Sequence, residues 1–522
     1  MDRRDFLRTG AFVFGTMAAS APVMAAFRAA SGAPALSDSD IQSLADALQG
    51  DLILKTMPGY QVASQLYNTR FDGIQPLAVA QCQSEADVVA CMQWCIQHDI
   101  RFRARAGGHN YCGWSSCEGL VIDVGPMKSM SYESSTTHAV FGAGCQLVDV
   151  YHYLGTNHGR VVPGGTCPSV GLTGLLLGGG QGMISRKYGM TSDQLIEARV
   201  VYYDGNEVKV VPCNQSVNPD LYWALRGGGG GNFGIVTSMK VKTYEIDTIS
   251  SAVITWTWAD AQKVLEKWMT WGPDVTELMS MNLILTSKYQ SDPRAILAVA
   301  CLDTTSNMVG YLSDILDPSI GTPQYQNDTP KNEPWLTYSL GSCHNYDECH
   351  FESDDWPTGD LKRKAYKSHS DYYTQPITQD GFDVIDHWLQ ARTANPAMTG
   401  GASFHLDLNG SASEINKVAS DATAFVHRDT ICCAQYTTYW EPNAHCDVVE
   451  QNLEWSRGFY AAMQPFSSDQ SYQNYCDDEL VDWANRYYGA NLHRLRKIKH
   501  EYDPDNLFTF PQSIPPITGG MP

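Results

Sequence analysis

Gly164–Asp193 reads GGTCPSVGLTGLLLGGGQGMISRKYGMTSD. Two glycines stand just ahead of Cys167, and a run of three, Gly178–Gly180, follows a short apolar stretch. Glycine at this density lets a backbone press against a ligand and take positive φ without steric cost. Upstream, Arg103–Ser116 reads RARAGGHNYCGWSS and sets His109 directly after Gly107-Gly108. Downstream, Leu225–Val236 reads LRGGGGGNFGIV. None of these segments forms GxGxxG after a clear strand, so a Rossmann nucleotide fold gains little support. They suggest glycine-rich loops that approach a ligand, two of which carry an imidazole and a thiol.

Around these loops, residues from about 50 to 245 alternate short β-branched or apolar runs with helical segments. Gly119–Val124, Ala139–Gly142 and Ala198–Tyr203 are expected strands, the last leading into a turn at Asp204-Gly205. From about 246 to 469 glycine thins and aromatics rise. Ala252–Trp258 and Ala402–Leu408 are strand-like there, and Phe382–Ala391 is helical. This stretch is expected to form a second domain that supplies a lid or substrate wall. Residues 470–522 hold a basic helix at Leu492–His500 and a Pro-rich tail. No internal repeat or low-complexity linker interrupts the pattern.

Composition narrows the class. The chain has 522 residues, with 36 Lys+Arg against 57 Asp+Glu and a net charge of −21. Such a length supports more than one domain. At 18 % charged and 43 % hydrophobic residues, wholesale disorder is excluded. The acidic balance argues against a nucleic-acid partner, whose phosphates call for a basic surface. No HExxH, Walker loop or GxSxG occurs, which removes the common zinc-protease, P-loop and serine-hydrolase readings.

Residues 1–35 carry an address. Met1–Arg8 reads MDRRDFLR, and Arg3-Arg4 precede the apolar Ala11–Met17 and an Ala-rich run to Ala30. That is a twin-arginine export signal, read by the Tat translocase and not an anchor. Val23-Met24-Ala25 and Ala33-Pro34-Ala35 are the candidate cleavage points. A bacterial protein exported already folded, to the periplasm or beyond, with a cofactor loaded beforehand, is the expectation. No later stretch reaches 18 consecutive apolar residues, so no membrane span is expected.

Fifteen cysteines fit a compartment that permits disulfides, and their odd number leaves at least one free or otherwise used. Cys91 and Cys95 share a helical face. Cys112/Cys117 and Cys343/Cys349 could close small rings. Cys343-His344 and Cys349-His350 look like zinc ligands, but their spacing matches no common zinc module, which favours a disulfide or free thiols. No metal is expected.

The two loop segments quoted first, followed by Leu225–Val236, resemble in order and spacing the berberine bridge enzyme-like family of flavoproteins, within the vanillyl-alcohol-oxidase superfamily. The C-terminal run YYGANLHRLRKIKHEYDPDNLFTFPQSIPP, Tyr487–Pro516, resembles that family's terminal segment. The resemblance covers nearly the whole chain after residue 35. It implies an α+β fold: a PCMH-type FAD-binding domain of two α/β subdomains over 50–245, completed by 470–522, and a substrate domain over 246–469 with an antiparallel sheet backed by helices. It also implies FAD held at two points, the flavin 8α-methyl on His109 and a neighbouring ring carbon on Cys167. Removing Cys167 from the count leaves an even fourteen.

The remaining cofactor contacts implied fall on the same loops. Backbone amides of Arg105, Ala106, Gly107 and Gly108 up to His109 would form a nest of donors for the pyrophosphate, with Asn110 beside them. Val170, Gly171, Gly174, Gly178, Gly179 and Gly182 would follow Cys167 along the cofactor. Gly227–Gly231 would line it, then Gly234, Ile235 and Val236.

For catalysis the resemblance points to Tyr475, in SYQNYCD at Ser471–Asp477, as the base that removes the hydroxyl proton of an alcohol while hydride leaves for the flavin. A tyrosine near pKa 10 is a poor base at neutral pH, so its phenolate needs stabilising neighbours. Gln435 and Tyr111 match family residues close to that tyrosine. Cys433 stands where relatives often carry lysine or glutamate, and Gln181 where many carry tyrosine, so the substrate pocket differs from that of the plant alcohol-oxidising members. Val170, three residues after Cys167, leaves room for oxygen at the ring where a leucine would fill it.

The expected function is an exported FAD oxidase that converts a C–OH group, in a sugar hemiacetal or a secondary alcohol, and reduces O2 to peroxide. Oxidative tailoring of a secondary metabolite, by dehydrogenation or ring closure, is the alternative enzyme reading. A cofactor-free carbohydrate-binding protein and a disulfide-stapled structural protein are the non-enzymatic ones. Both predict a colourless chain.

Overall fold

The computed structural model of the chain describes residues 36–517 other than 327–328, 342, 344 and 350–359. Arg3-Arg4 and the rest of the expected signal lie outside the described residues, as do His344 and His350.

Three sheets organise the chain. The first holds β1 (Asp51–Leu54), β2 (Ala78–Gln81), β3 (Phe102–Arg105) and β4 (Leu120–Asp123) in the order β1-β2-β4-β3. β2 and β3 run parallel to β4, and β1 is an antiparallel edge. Two helices, α1 (Asp38–Ala47) and α2 (Glu85–Gln97), carry apolar side chains into the core under this sheet, among them Ile41, Leu44, Val88, Met92 and Trp94. Ser84 caps α2 by accepting from the Asp87 amide, an interaction that satisfies one orphan donor of the first turn. Cys91 and Cys95 both sit on the buried face of α2, as their spacing of four requires.

The second sheet is wholly antiparallel. Its strands β5 (Met130–Glu133), β6 (His138–Gly142), β7 (Leu195–Tyr203), β8 (Val208–Asn214) and β9 (Ile235–Lys242) run in the order β5-β6-β9-β7-β8. Helix α3 (Leu147–His158) packs in the same core through Leu147, Val150, Tyr151 and Leu154. Between β6 and β7 lies the glycine-rich segment 164–193.

The third sheet is antiparallel too. β10 (Thr248–Thr257), β11 (Met279–Lys288), β12 (Ser291–Cys301), β13 (Ala365–Tyr373), β14 (Ala402–Leu408) and β15 (Cys432–Trp440) run in the order β10-β12-β11-β14-β15-β13. Alternation along its strands gives each face its own chemistry. Leu283 and Leu285 of β11, Phe404 and Leu406 of β14, and Ala434 and Tyr436 of β15 join a core with Trp268, Ile385 and Phe459. Those three come from the covering helices α4 (Ala261–Trp271), α5 (Gln379–Thr393) and α6 (Cys446–Met463). The alternate residues, among them Asn282, His405, Asp407, Gln435 and Thr437, line a cavity on the opposite face.

Helix α7 (Leu492–Tyr502) then returns to the core around the second sheet with Leu495, Ile498 and Tyr502. Its Lys499 is fully buried, and Nζ donates to Asp503, Asn232 O and Phe508 O. A buried ammonium is tolerable only with such partners. Lys499→Met should leave the buried Asp503 carboxylate without its countercharge, at a cost of about 3–5 kcal/mol. Denaturant unfolding of the variant checks this, and an unchanged midpoint would contradict it.

Cysteine use departs from expectation. Cys343 and Cys349 form a disulfide. Cys112 and Cys117 do not pair: the Cys112 thiol reaches Cys476 O at 3.1 Å and Cys117 reaches the backbone at Arg101 and Leu120. Nor do the other thiols pair off into the even set the count suggested, since thirteen cysteines are free. Most are buried in the cores as thiols, where cysteine behaves as a small apolar residue. Among the described residues, no helix is long and apolar enough to cross a membrane.

Candidate active site

A cavity of about 440 Å³ lies between the glycine-rich loops and the polar face of the third sheet. Its construction starts where β3 ends. Arg105 closes that strand, buried, with Nη2 donating to Ala63 O at 2.6 Å and to Asp123 Oδ2 at 2.9 Å. Its Nη1 is also buried but has no partner, at the cavity wall. Next, Gly107 lies flat against Gly171: a Cβ on Gly107 would fall 2.3 Å from Gly171 N. Only glycine at these positions lets the two loops touch, and that contact brings His109 beside the turn that bears Cys167. Gly108 takes φ +68°, a conformation that other residues adopt at a cost.

His109 Nε2 meets Ser169 Oγ at 2.8 Å, and its ring stacks on Tyr67 with centroids 4.1 Å apart. Burial lowers His109 to about 3, so the imidazole is neutral at physiological pH. Cys167 opens onto the cavity. Burial pushes its thiol up, with Lys364 acting weakly the other way. Asn110 does its work through the backbone: Oδ1 accepts from the amides of Cys112 and Trp114 at 3.0 Å each and so fixes the loop that carries Tyr111.

Tyr111 stacks on Tyr475, centroids 5.3 Å apart at 19°, and donates to Gln435 Oε1 at 3.3 Å. Tyr475 sits in the short turn Gln473–Tyr475 and also packs edge-on against Tyr472. Burial drives the Tyr475 hydroxyl well above its ordinary value, and the charge of Asp407 drives it further. The stabilised phenolate expected from the sequence is therefore not what this site holds: Tyr475 is neutral. Arg103 and Arg105, the arginines among the lining residues, belong to β3.

Arg105, Ala106, Gly107, Gly108, Asn110, Val170, Gly171, Gly174, Gly182, Gly234, Ile235 and Val236 all line the cavity, together with His109, Cys167, Tyr111, Gln181, Gln435 and Tyr475. Gln181 Nε2 donates to Asn409 Oδ1 at 2.8 Å. Three expected residues stand elsewhere. A Cβ on Gly178 would collide with Asn474 at 2.0 Å, and one on Gly179 would press on Phe425 and Met190, so these two glycines serve packing between loops. Cys433 follows the same strand face as Gln435 but is sealed under Met190, Phe425, Tyr372 and Tyr472. Of Gly227–Gly231, the last three reach the wall.

Several residues at or behind the wall escaped the sequence reading. Ser169, which ties His109 to the Cys167 turn, is one. His405 and Asp407 are the others of most consequence, with Nε2 and Oδ1 3.1 Å apart. Burial works to lower His405, but Asp407, by charge and contact, outweighs it and raises the imidazole above its ordinary value. A signal existed: in Ala402–Leu408, ASFHLDL, polar residues alternate with apolar ones, as on a strand with one face away from the core.

The comparisons with known proteins follow the same line. The family model for the FAD binding domain matches residues 76–210, and that described as berberine and berberine like matches 471–515. The chain is 32 % identical over 472 residues to the uncharacterized FAD-linked oxidoreductase YgaK of Bacillus subtilis, covering 90 % of this chain and 98 % of that one. Among solved structures, Physcomitrella patens BBE-like 1 superposes with a TM-score of 0.80 at 26 % identity, over 92 % of this chain and all of the other. The grass pollen allergen Phl p 4, described as having glucose dehydrogenase activity, superposes with a TM-score of 0.79 at 25 % identity over the same shares. A two-residue variant of Phl p 4 is described as a glucose oxidase. The chain belongs to the berberine bridge enzyme-like family of FAD-linked oxidoreductases, and it is an FAD-dependent oxidoreductase with that family's α+β FAD-binding fold.

The residues present fit FAD. The unpartnered Arg105 Nη1 is a buried donor at the wall that an anionic group would satisfy. Where the cavity is lined by Gly174, a Cβ would meet nothing within 4 Å, and at Gly230 and Gly231 nothing closer than 3.8 Å, so these backbones front open space.

Proposed function

We propose that this enzyme is an oxidase with FAD bonded to both His109 and Cys167, acting on the C–OH group of a sugar or a related secondary alcohol and passing the electrons to O2 as peroxide. The observation that carries the reading is the convergence in one cavity of a neutral imidazole, an accessible thiol and a stacked tyrosine pair whose Tyr111 is hydrogen-bonded to Gln435. FAD, when bound, accepts hydride from carbon and is reoxidised by oxygen. The chain's own residues do the rest. His109, steadied by Ser169 and Tyr67, and Cys167 on the facing turn hold the cofactor. Arg105 and the glycine loops receive its phosphates. Tyr475 contacts the reacting hydroxyl and takes its proton as the C–H bond breaks, while Tyr111 and Gln435 fix the phenol in place. The polar row of the third sheet forms the substrate wall, and a wall of amide, imidazole, carboxylate and hydroxyl groups suits a polyhydroxylated ligand better than a bare hydrocarbon.

Residues 50–245 and 470–522 form the FAD-binding unit in this reading, and 246–469 the substrate unit. Export through the Tat translocase to the periplasm or beyond, supported by Arg3-Arg4 and the apolar Ala11–Met17, is part of it. Anaerobic mixing with a panel of sugars and alcohols tests the proposal: one of them should bleach the flavin absorbance.

The oxidase assignment makes its own prediction. Val170 lines the cavity three residues after Cys167. Val170→Leu adds one methylene, a change that packed sites absorb for about 1–3 kcal/mol. It should slow reoxidation by O2 much more than reduction by substrate. Stopped-flow measurement of both half-reactions separates this from general damage, and an unchanged oxygen reaction, or an equal fall in both, would contradict it.

A further inference from the structure

The site as described has a proton problem. Tyr475 is neutral, and a neutral phenol can take a substrate's proton only if its own moves on. We propose that His405, held by Asp407, is the terminal acceptor of that proton. The inference rests on the reading of Tyr475 given under the proposed function and deepens it.

Three features of the structure support this. His405 and Asp407 are two residues apart on β14 and share the face that lines the cavity with Tyr475. Asp407 Oδ1 lies 3.1 Å from His405 Nε2, and among the neighbouring charges it acts most on the Tyr475 hydroxyl, so one carboxylate acts on both groups across the cavity. His405 Nε2 is buried 3.1 Å from Asp407 Oδ1, close by distance but short of hydrogen-bond geometry, while the side chain as a whole keeps 28 % of its surface; Nδ1 is the ring nitrogen we assign as acceptor. A carboxylate beside one ring nitrogen favours a proton there and leaves the other nitrogen to act as the base.

The transfer balances. The substrate O–H bond breaks and its proton forms a new bond to the Tyr475 oxygen. The original Tyr475 O–H bond breaks, directly or through one water, and that proton binds His405 Nδ1. The substrate C–H bond breaks with its electron pair, which goes to FAD as hydride, so the alcohol is oxidised and FAD reduced. A catalytic base works best with a pKa near the operating pH. His405 is the cavity group closest to that condition. Tyr67, Tyr111 and Cys167 from the FAD-side loops, Tyr366 and Tyr439 from β13 and β15, and Tyr475 are all pushed upward by burial and are neutral near pH 7. β11 offers the uncharged Asn282 beside them, and Cys476, next to Tyr475, is the remaining thiol of the wall. Arg103 and Arg105 stand on β3. Asp407 is thus the charge that sets His405.

The test uses the holoenzyme. Histidine-labelled protein is titrated by NMR, with the His405 signal assigned by its loss in His405→Gln, and anaerobic flavin reduction is followed against pH. His405 should titrate above its ordinary value, and reduction should fall as pH drops through that same ionisation, because the acceptor is then already protonated. His405→Gln should slow reduction by about 10²-fold and abolish this acid limb. Asp407→Asn removes the charge that raises His405, so the NMR titration and the kinetic limb should move together to lower pH. A wild-type acid limb in His405→Gln overturns the inference, as does a His405 titration indifferent to Asp407→Asn. The NMR arm needs no turnover, so it judges the pair even if His405→Gln is poorly folded. Wild-type reduction in Tyr475→Phe would instead sink the underlying reading of Tyr475, which keeps the two failures apart.

Discussion

Tyr475→Phe is expected to slow anaerobic flavin reduction by about 10²–10⁴-fold, the range a positioned proton-transfer group contributes. The substitution keeps the ring, and with it the stack on Tyr111 and the edge contact with Tyr472, and removes the hydroxyl alone. Fold and flavin spectrum should therefore be unchanged. Oxygen should still reoxidise the reduced flavin at its normal rate, since no proton of the substrate is involved in that half. Stopped-flow absorbance with saturating substrate gives the number. Near-normal reduction would show that Tyr475 only packs the C-terminal turn.

The second large effect concerns attachment. His109→Ala and Cys167→Ala should each leave a flavin that stays on the denatured chain through the remaining bond, while the double variant should release it. The two side chains sit on separate loops, linked by the Gly107/Gly171 contact and by the Ser169 hydroxyl on His109, so loss of one need not unseat the other. Absorbance of the acid-precipitated pellet and of its supernatant reads the outcome directly. Flavin that remains on the precipitated double variant would mean that other residues form the bonds.

Much of this site was legible because its loops are dictated by local chemistry. Gly107, Gly108 and Gly171 announce a close approach of backbones, and a histidine and a cysteine mounted on such turns stand out in any reading. The strand Ala402–Leu408 was legible as a strand-like run, and most of α7 as a basic helix. What the sequence hid was partnership across the fold. Gly178 and Gly179 look like their neighbours in the glycine run, yet they answer to Asn474 and Phe425, which are distant in sequence. Cys433 shares a strand face with Gln435 but falls under a cap that Met190 and Tyr472 supply from other segments. His405 and Asp407 form their pair inside one strand, but that their face meets the tyrosine of the C-terminal segment follows only from how the third sheet stands against the flavin loops. Cysteine parity misled for a related reason: burial in an apolar core uses up a thiol as effectively as a disulfide does.

We propose that this enzyme takes hydride from a C–OH carbon and gives the electrons to oxygen. Anaerobic addition of mono- and oligosaccharides to the yellow holoenzyme, followed by admission of air, tests it in a single absorbance trace. At least one sugar should bleach the flavin, and air should restore the colour with one equivalent of peroxide formed. A flavin that no sugar or secondary alcohol bleaches, or one that bleaches and stays colourless in air, would contradict it.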